Sequence, residues 1–278
     1  MRKKIIISIA VALFVLIDAA VLLYPTVSSY FNSRSQSKVV AEYFDDASGI
    51  KSEAMAALLE AARQYNQTLH RKPNRFVPTP GETAQYNQLL NTGRDVMGIL
   101  SIDKLGLQLP IYHGSDESVL QVGLGHMQGT SLPVGGKGSH AFITGHRGLP
   151  SSVLLSHLDK IAEGDLFVLH ILGEALTYRV DRIETVEPGQ MQALDIDENE
   201  DFCTLVTCTP YGVNTHRLLV RGRRTENALS GWTSAIAGAK RAGKAAVILL
   251  FLLPVVLLLI PYGVVRCRKI QRGGIVRP

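Results

Sequence analysis

From Ala245 to Val265 the chain runs without a single charged residue. A bilayer crossing takes about 20 apolar residues, so this run predicts a membrane span. Pro254 and Pro261 lie inside it and are tolerated in that setting. Ile5 to Leu23 is a second apolar run, interrupted by one charge, Asp18. It reads as a transmembrane anchor or a signal segment. No small-x-small cleavage site follows, which favours a retained anchor. Any water-soluble fold is therefore confined to the residues between the two runs. Arg2, Lys3 and Lys4 precede the first run, and Arg266, Arg268, Lys269, Arg272 and Arg277 follow the second. Together they exceed the whole chain's net charge of +5, so the middle is net negative. That excludes nucleic acid as a partner. The basic ends instead place both tails in the cytoplasm and everything between them outside the cell membrane. Lys240, Arg241 and Lys244 argue weakly against that orientation.

The middle divides by pattern. Ser48 to Leu69 carries Met55, Leu58, Leu59 and Ala62 at three- and four-residue spacing and predicts an amphipathic helix packed on the main domain. Arg71 to Gly81 holds Pro73, Pro78, Pro80 and Gly81 and reads as a loop. Tyr86 to Leu90 adds a short turn. From Val96 to Arg224 short apolar runs alternate with turn signals: Gly98–Ile102, Leu107–Ile111, Ala141–Thr144, Leu166–Leu172, Leu176–Ile183, Phe202–Cys208 and Leu218–Arg221. Such spacing predicts a mainly β fold, a barrel or sandwich. Ser151 to Lys160 reads as one short helix. The organisation expected is an anchor or signal segment at 5–23, a helical segment with a loop at 40–92, a β domain at 93–224, a linker at 225–244, a span at 245–265 and a basic tail at 266–278.

Chemistry concentrates in Thr204–Gly222. Leu205 and Val206 flanked by threonines favour a strand, Pro210 and Gly212 end it, and Leu218 to Val220 begins another. Two strands joined by a short loop pair side by side, which brings Cys208 against Arg217. A cation beside a thiol favours thiolate, the attacking form, and a guanidinium offers fixed donors to a developing oxyanion. The chain has three cysteines. Cys203 and Cys208 are five residues apart on one strand, about 16 Å at about 3.3 Å per residue. A disulfide needs Cα atoms within about 7 Å, so both are expected as free thiols on opposite faces. His146 sits in Thr144-Gly145-His146-Arg147-Gly148, directly after a predicted strand, and suits a proton carrier at a rim. His216 competes for that role, but strand alternation turns it away from Arg217. His113, His126, His140 and His146 match no compact zinc spacing, and no metal or cofactor is expected. Asp195, Asp197, Glu198 and Glu200 read as a solvated loop, with a surface Ca²⁺ as the other reading.

The run Thr207-Cys208-Thr209-Pro210-Tyr211-Gly212-Val213-Asn214-Thr215-His216-Arg217 resembles the signature of the sortases, cysteine transpeptidases of Gram-positive cell surfaces, and their class C, pilus-assembling branch in particular. Thr144 to Pro150 resembles the family's histidine motif. Leu107 to Gly114 and Gly129 to Gly136 extend the likeness, which runs from Met97 to Arg224. The resemblance implies a β-barrel of about eight strands, with Cys208, His146 and Arg217 as catalytic residues. It implies cleavage of LPxTG-type sorting signals on secreted surface or pilin proteins between Thr and Gly, and transfer to a pilin lysine. A housekeeping sortase using cell-wall precursor, a hydrolytic cysteine peptidase and a non-catalytic binding module stay open as alternatives. Class C enzymes often carry a lid with an Asp-Pro-aromatic motif. Here Arg71 to Pro78 offers Pro73 and Phe76 as lid candidates but no Asp-Pro pair. The expectation is a weakly held lid, without charge pairing, closed if at all by Phe76 packing over Cys208.

Overall fold

The computed structural model describes residues 2–69, 71–190 and 195–227. The linker beyond Asn227, the run Ala245–Val265, the basic tail, Trp232 and Cys267 lie outside the described residues. The chain divides into two units, residues 1–30 with 231–278, and residues 31–230.

In the first unit the described residues belong to helix α1, which spans Arg2–Gly49 with Pro25 inside it. Ile6, Ile7, Leu13, Phe14, Ile17, Val21 and Leu22 are all exposed. A helix apolar on every side is what a membrane accepts. By length and composition α1 can cross one. The helix also continues far past Leu23, where the apolar run ends. No glycine occurs between Arg2 and Gly49 to stop it.

In the second unit, the later part of α1 is amphipathic. Gln36, Val40, Tyr43 and Ala47 are buried at four- and three-residue spacing, a stripe that the sequence reading passed over. The Tyr43 hydroxyl donates to Met97 O at 3.2 Å and accepts from Leu172 N–H at 2.9 Å. Helix α2 spans Ser52–Leu69 and buries Leu59, Ala62, Asn66 and Leu69; Met55 and Leu58 pack against the same core. Helix α3 runs Pro80–Gln88, starting well before the turn expected at Tyr86. Pro80 and Gly81 had read as breakers. Thr79 instead caps the helix, in a box with Glu82, and Pro80 opens the first turn, where its missing N–H costs nothing.

Eight strands follow: β1 Val96–Ile102, β2 Leu107–His113, β3 Leu124–His126, β4 Ser139–Thr144, β5 Leu166–Ile171, β6 Glu174–Val186, β7 Asp201–Thr209 and β8 His216–Arg224. A four-residue helix, α4, at Glu117–Leu120 precedes β3. The strands close into a barrel in the order β1-β2-β3-β4-β7-β8-β6-β5. The β2–β3 and β4–β7 pairs are parallel. The helix expected over Ser151–Lys160 is only a short 3-10 turn at Leu158–Lys160. Leu154, Leu155 and Leu158 are buried as a helix would bury them. Leu154, however, has φ 34°, and Ser156 turns its hydroxyl to Gly148 N–H at 3.1 Å. Side chains of this kind compete with helical hydrogen bonds.

Alternation along the strands sorts the residues. Ala141, Ile143, Cys203, Leu205, Leu218 and Val220 join the main core inside the barrel. Phe142, Val206 and Leu219 form a separate cluster on the outer face of β4, β7 and β8. Three histidines are buried among the described residues of this unit. Loss of hydration lowers His126, His140 and His170 each to about 4, opposed in part by hydrogen bonds to Ser131 O and Asp195 O for the first two. A lowered folded pKa means that the unfolded chain binds more protons. Their contribution is whole above about pH 6.5 and is lost as pH falls toward about 4. Each proton is worth about 1.4 kcal/mol per pH unit, so unfolding free energy should fall by up to roughly 4 kcal/mol per unit in that window. Thermal unfolding of the detergent-solubilised chain from pH 7.5 to 5.0 checks this. A flat midpoint over that range would contradict it.

Candidate active site

Three neighbouring strands converge on one end of the barrel. β4 and β7 run parallel, with Thr144 opposite Val206, so both finish at the same end. β8 runs antiparallel to β7, so it begins there. His146 lies two residues past β4, Cys208 is the penultimate residue of β7 and Arg217 the second of β8. The three residues singled out from the sequence thus come to the same end of the barrel through topology, although 71 positions separate the first from the last.

Cys208 and Arg217 are direct partners across the β7–β8 ladder, which sets their Cβ atoms about 4.5–5.5 Å apart. Both lie on the outer face, in line with Val206 and Leu219. Cys208 is a half-buried free thiol, whereas Cys203 is a fully buried one. Burial pushes the Cys203 thiol well above its usual range, with Asp201 adding to the effect. Arg217 Nη1 donates to His216 O at 3.1 Å and Asn214 O at 3.3 Å. Its remaining donors have no protein acceptor among the described residues. His216 falls opposite Thr209, and its Nδ1 lies 2.9 Å from its own neighbour, the Thr215 hydroxyl.

The His146 segment is held against β7 by main chain. Gly145 N–H donates to Val206 O at 3.0 Å, and Thr207 Oγ1 donates to Gly145 O at 2.7 Å. Gly145 has no room for a side chain: a Cβ would lie 2.5 Å from Leu124 Cδ2 and 3.1 Å from Leu155 Cδ1. Leu155 N–H donates to His146 O at 3.3 Å. The imidazole Nε2 lies 3.3 Å from the Glu117 carboxylate. Gln121 and the His146 charge lower the Glu117 pKa. Nδ1 has no partner among the described residues.

Two residues here were not singled out from the sequence. Glu117 sits on a four-residue helix and gave no signal. Arg147 lies inside the histidine motif and was passed over for its neighbour. Its Nη1 donates to Thr209 Oγ1 at 3.0 Å and its Nη2 to Asp159 Oδ2 at 2.6 Å.

The outer face continues beyond the Cys208–Arg217 pair as a cleft of about 470 Å³, lined by His140, Asp195, Phe202, Thr204, Leu219 and Arg221 among others. His140 is fixed on this floor by Thr204 Oγ1 at 2.8 Å and Asp195 O at 2.7 Å. Asp197 accepts from Asn199 N–H at 2.9 Å within its own loop. Among the described residues no group of three or more His, Cys, Asp or Glu side chains is placed to hold a metal ion.

Phe76 packs against the cluster of Phe142, Val206 and Leu219; of these, Val206 precedes Cys208 on the same face of β7 and Leu219 lines the cleft. Pro73 is exposed. Arg75 stacks its guanidinium 4.8 Å from the Phe76 ring centre. The segment also presses on Gly129, where a Cβ would lie 2.4 Å from Arg75 O. Lys72 pairs with Glu82. Burial lowers the Arg75 pKa, and the nearby Asp195 opposes that shift.

Residues 100–225 match the sortase domain family. Among curated proteins, sortase A of Bacillus anthracis is 30% identical over 129 residues, 46% of this chain; the match covers only 60% of that relative. Among solved structures, sortase C1 of Streptococcus agalactiae is 43% identical with a TM-score of 0.66, covering 69% of this chain and 100% of that one. Sortase C of Streptococcus pneumoniae is 40% identical with a TM-score of 0.63, covering 68% and 97%. The chain belongs to the sortase family.

Phe76 packs on the apolar cluster of Phe142, Val206 and Leu219, and with no charge pairing to lock it, Phe76→Ala should raise the alkylation rate of Cys208 by less than about threefold, under about 1 kcal/mol. Cys203 should stay unlabelled in the folded chain. Peptide mapping by mass spectrometry after timed exposure to iodoacetamide measures both. A rise of a hundredfold or more would show that Phe76 locks the site.

Proposed function

We propose that the chain is a membrane-anchored cysteine transpeptidase of the class C, pilus-assembling type. The observation that carries this is the Cys208–Arg217 cross-strand pair, with His146 delivered beside it by the parallel neighbour β4. The Cys208 thiolate attacks the Thr carbonyl of an LPxTG-type sorting signal. Arg217 donates to the resulting oxyanion, and its donors without protein acceptors suit that task. As the C–N bond breaks, His146 gives a proton to the departing glycine amine, leaving a Thr thioester on Cys208. A pilin lysine amine then attacks the thioester, and His146 takes up its proton. Collapse forms the isopeptide bond and releases Cys208 as the thiolate, beside a reprotonated His146. The cleft beyond Leu219 receives the sorting peptide, and the segment bearing Pro73 and Phe76 is a lid over its entrance. The pilin acceptor draws support from sortase C of Streptococcus pneumoniae, whose structure is described in terms of pilin substrate specificity.

Cys208→Ala should abolish transfer with the fold intact, while Cys203→Ala should keep it. Arg217→Lys retains charge but loses the planar fork, and kcat should fall by roughly 10²–10³. The assay is mass spectrometry of products from an LPxTG peptide with and without a lysine-bearing pilin. Equal loss from both cysteine changes, or near-normal kcat in Arg217→Lys, would refute the assignment.

For topology, α1 and the run Ala245–Val265 cross the membrane, with both basic ends in the cytoplasm and the barrel outside. Protease added to intact protoplasts should digest the barrel and spare both ends. Digestion of a tag placed after Pro278 would refute that orientation.

A further inference from the structure

Arg147 is a buried cation with no part in the chemistry above. Its side chain is 8% exposed. It follows His146 directly, and its acceptor Thr209 follows Cys208 directly. The 3.0 Å bond from Nη1 to Thr209 Oγ1 therefore ties the ends of β4 and β7 to each other one residue beyond the reacting pair. A second arm, Nη2 to Asp159 at 2.6 Å, fixes the guanidinium to the 3-10 turn at Leu158–Lys160. The ring of Tyr211, on the loop between Cys208 and Arg217, lies 6.0 Å from the guanidinium carbon. The same ring rests on Gly148, where a Cβ would stand 3.2 Å from it at φ 81°. Nε is buried with no acceptor among the described residues, and the contacts that set the position of this cation are to Thr209, Asp159 and Tyr211. Strand alternation puts Thr209 on the side of β7 opposite Cys208. The link therefore acts from behind the site and leaves the groove side clear.

We infer that Arg147 is a positioning residue that sets the His146–Cys208 geometry by clamping Thr209 from behind β7. This rests on the transpeptidase reading for its catalytic readout, but not for its structural one. Misplacing a catalytic group by about 1 Å can cost 10²-fold in rate, and a charged hydrogen bond is the kind of contact that prevents it.

The test uses the full chain in detergent micelles. Thr209→Val removes the acceptor and keeps the shape, Thr209→Ser keeps the hydroxyl, and Arg147→Gln removes the fork. Rates are expressed per reactive Cys208 thiol, so a smaller folded fraction does not count as lost catalysis. Thr209→Val should lower kcat by roughly tenfold or more with KM for the sorting peptide little changed. Thr209→Ser should stay close to the parent chain. Thr209→Val added to Arg147→Gln should cost nothing further, as expected of two ends of one link. The pH profile of Cys208 alkylation should move toward that of His146→Ala in both Thr209→Val and Arg147→Gln. An unchanged kcat per thiol with an unchanged alkylation profile would overturn the inference. So would a Thr209→Ser loss as large as that of Thr209→Val. If the parent chain transfers no peptide at all, the transpeptidase reading fails, and the alkylation profiles alone decide the clamp.

Discussion

The parallel pairing of β4 with β7 is the constraint on which the site depends. Parallel neighbours cannot be joined by a tight turn. The chain must travel from one end of the barrel to the other before β7 begins, and β5 and β6 lie in that path. Those two strands then flank β1 and β8 and close the barrel. The same excursion that permits the parallel pair thus completes the core. Shifting β7 by one residue against β4 would turn Leu205 and Cys203 outward and Cys208 inward. The fully buried positions on either side resist such a slip. Catalytic alignment is in this sense a by-product of core packing.

Much of this was legible in the sequence because it is local. Cys208 and Arg217 lie on strands joined by one short loop, so turn residues and apolar runs suffice to pair them. The seven apolar runs correspond to β1, β2 and β4 to β8. The short β3 was missed, since Leu124–His126 is too brief to show a period. The lower half of α1 was missed for another reason: its buried stripe includes Gln36, a polar residue whose amide reaches Val122 O and Ser152 Oγ. Polar groups satisfied by distant partners leave no hydrophobic trace. Pro80 and Gly81 misled because the same residues that end helices also begin them. Leu154, Leu155 and Leu158 have helical spacing, but what they bury is a folded-back loop. Arg147 and Glu117 act through residues 12 to 62 positions away, and nothing in a single sequence joins them.

The outer face also shows how polar and apolar contacts divide the labour there. Phe76, Val206 and Leu219 supply an apolar floor, while His140, Arg221 and Asp195 line the cleft beyond. Arg221 forms a two-armed pair with Asp181 at 2.8 and 3.0 Å and lies 4.2 Å above the Phe202 ring. Such a pair is planar and directional, so it holds β6 against β8 without relying on hydrophobic burial. The face can therefore stay open to solvent without loosening the barrel.

The odd spacing of Cys203 and Cys208 along β7 has a redox meaning. Two thiols on one strand invite the thought of an internal disulfide, which would silence the nucleophile. Residues five apart alternate to opposite sides of the sheet, and the separation is more than twice what an S–S bond spans. Cys203 is sealed in the core and held in its protonated form, so it can neither reach Cys208 nor resolve a sulfenic acid formed on it. Between these two sulfurs the sheet acts as an insulator. An oxidised Cys208 must look elsewhere, to a small thiol or another molecule, for its reduction.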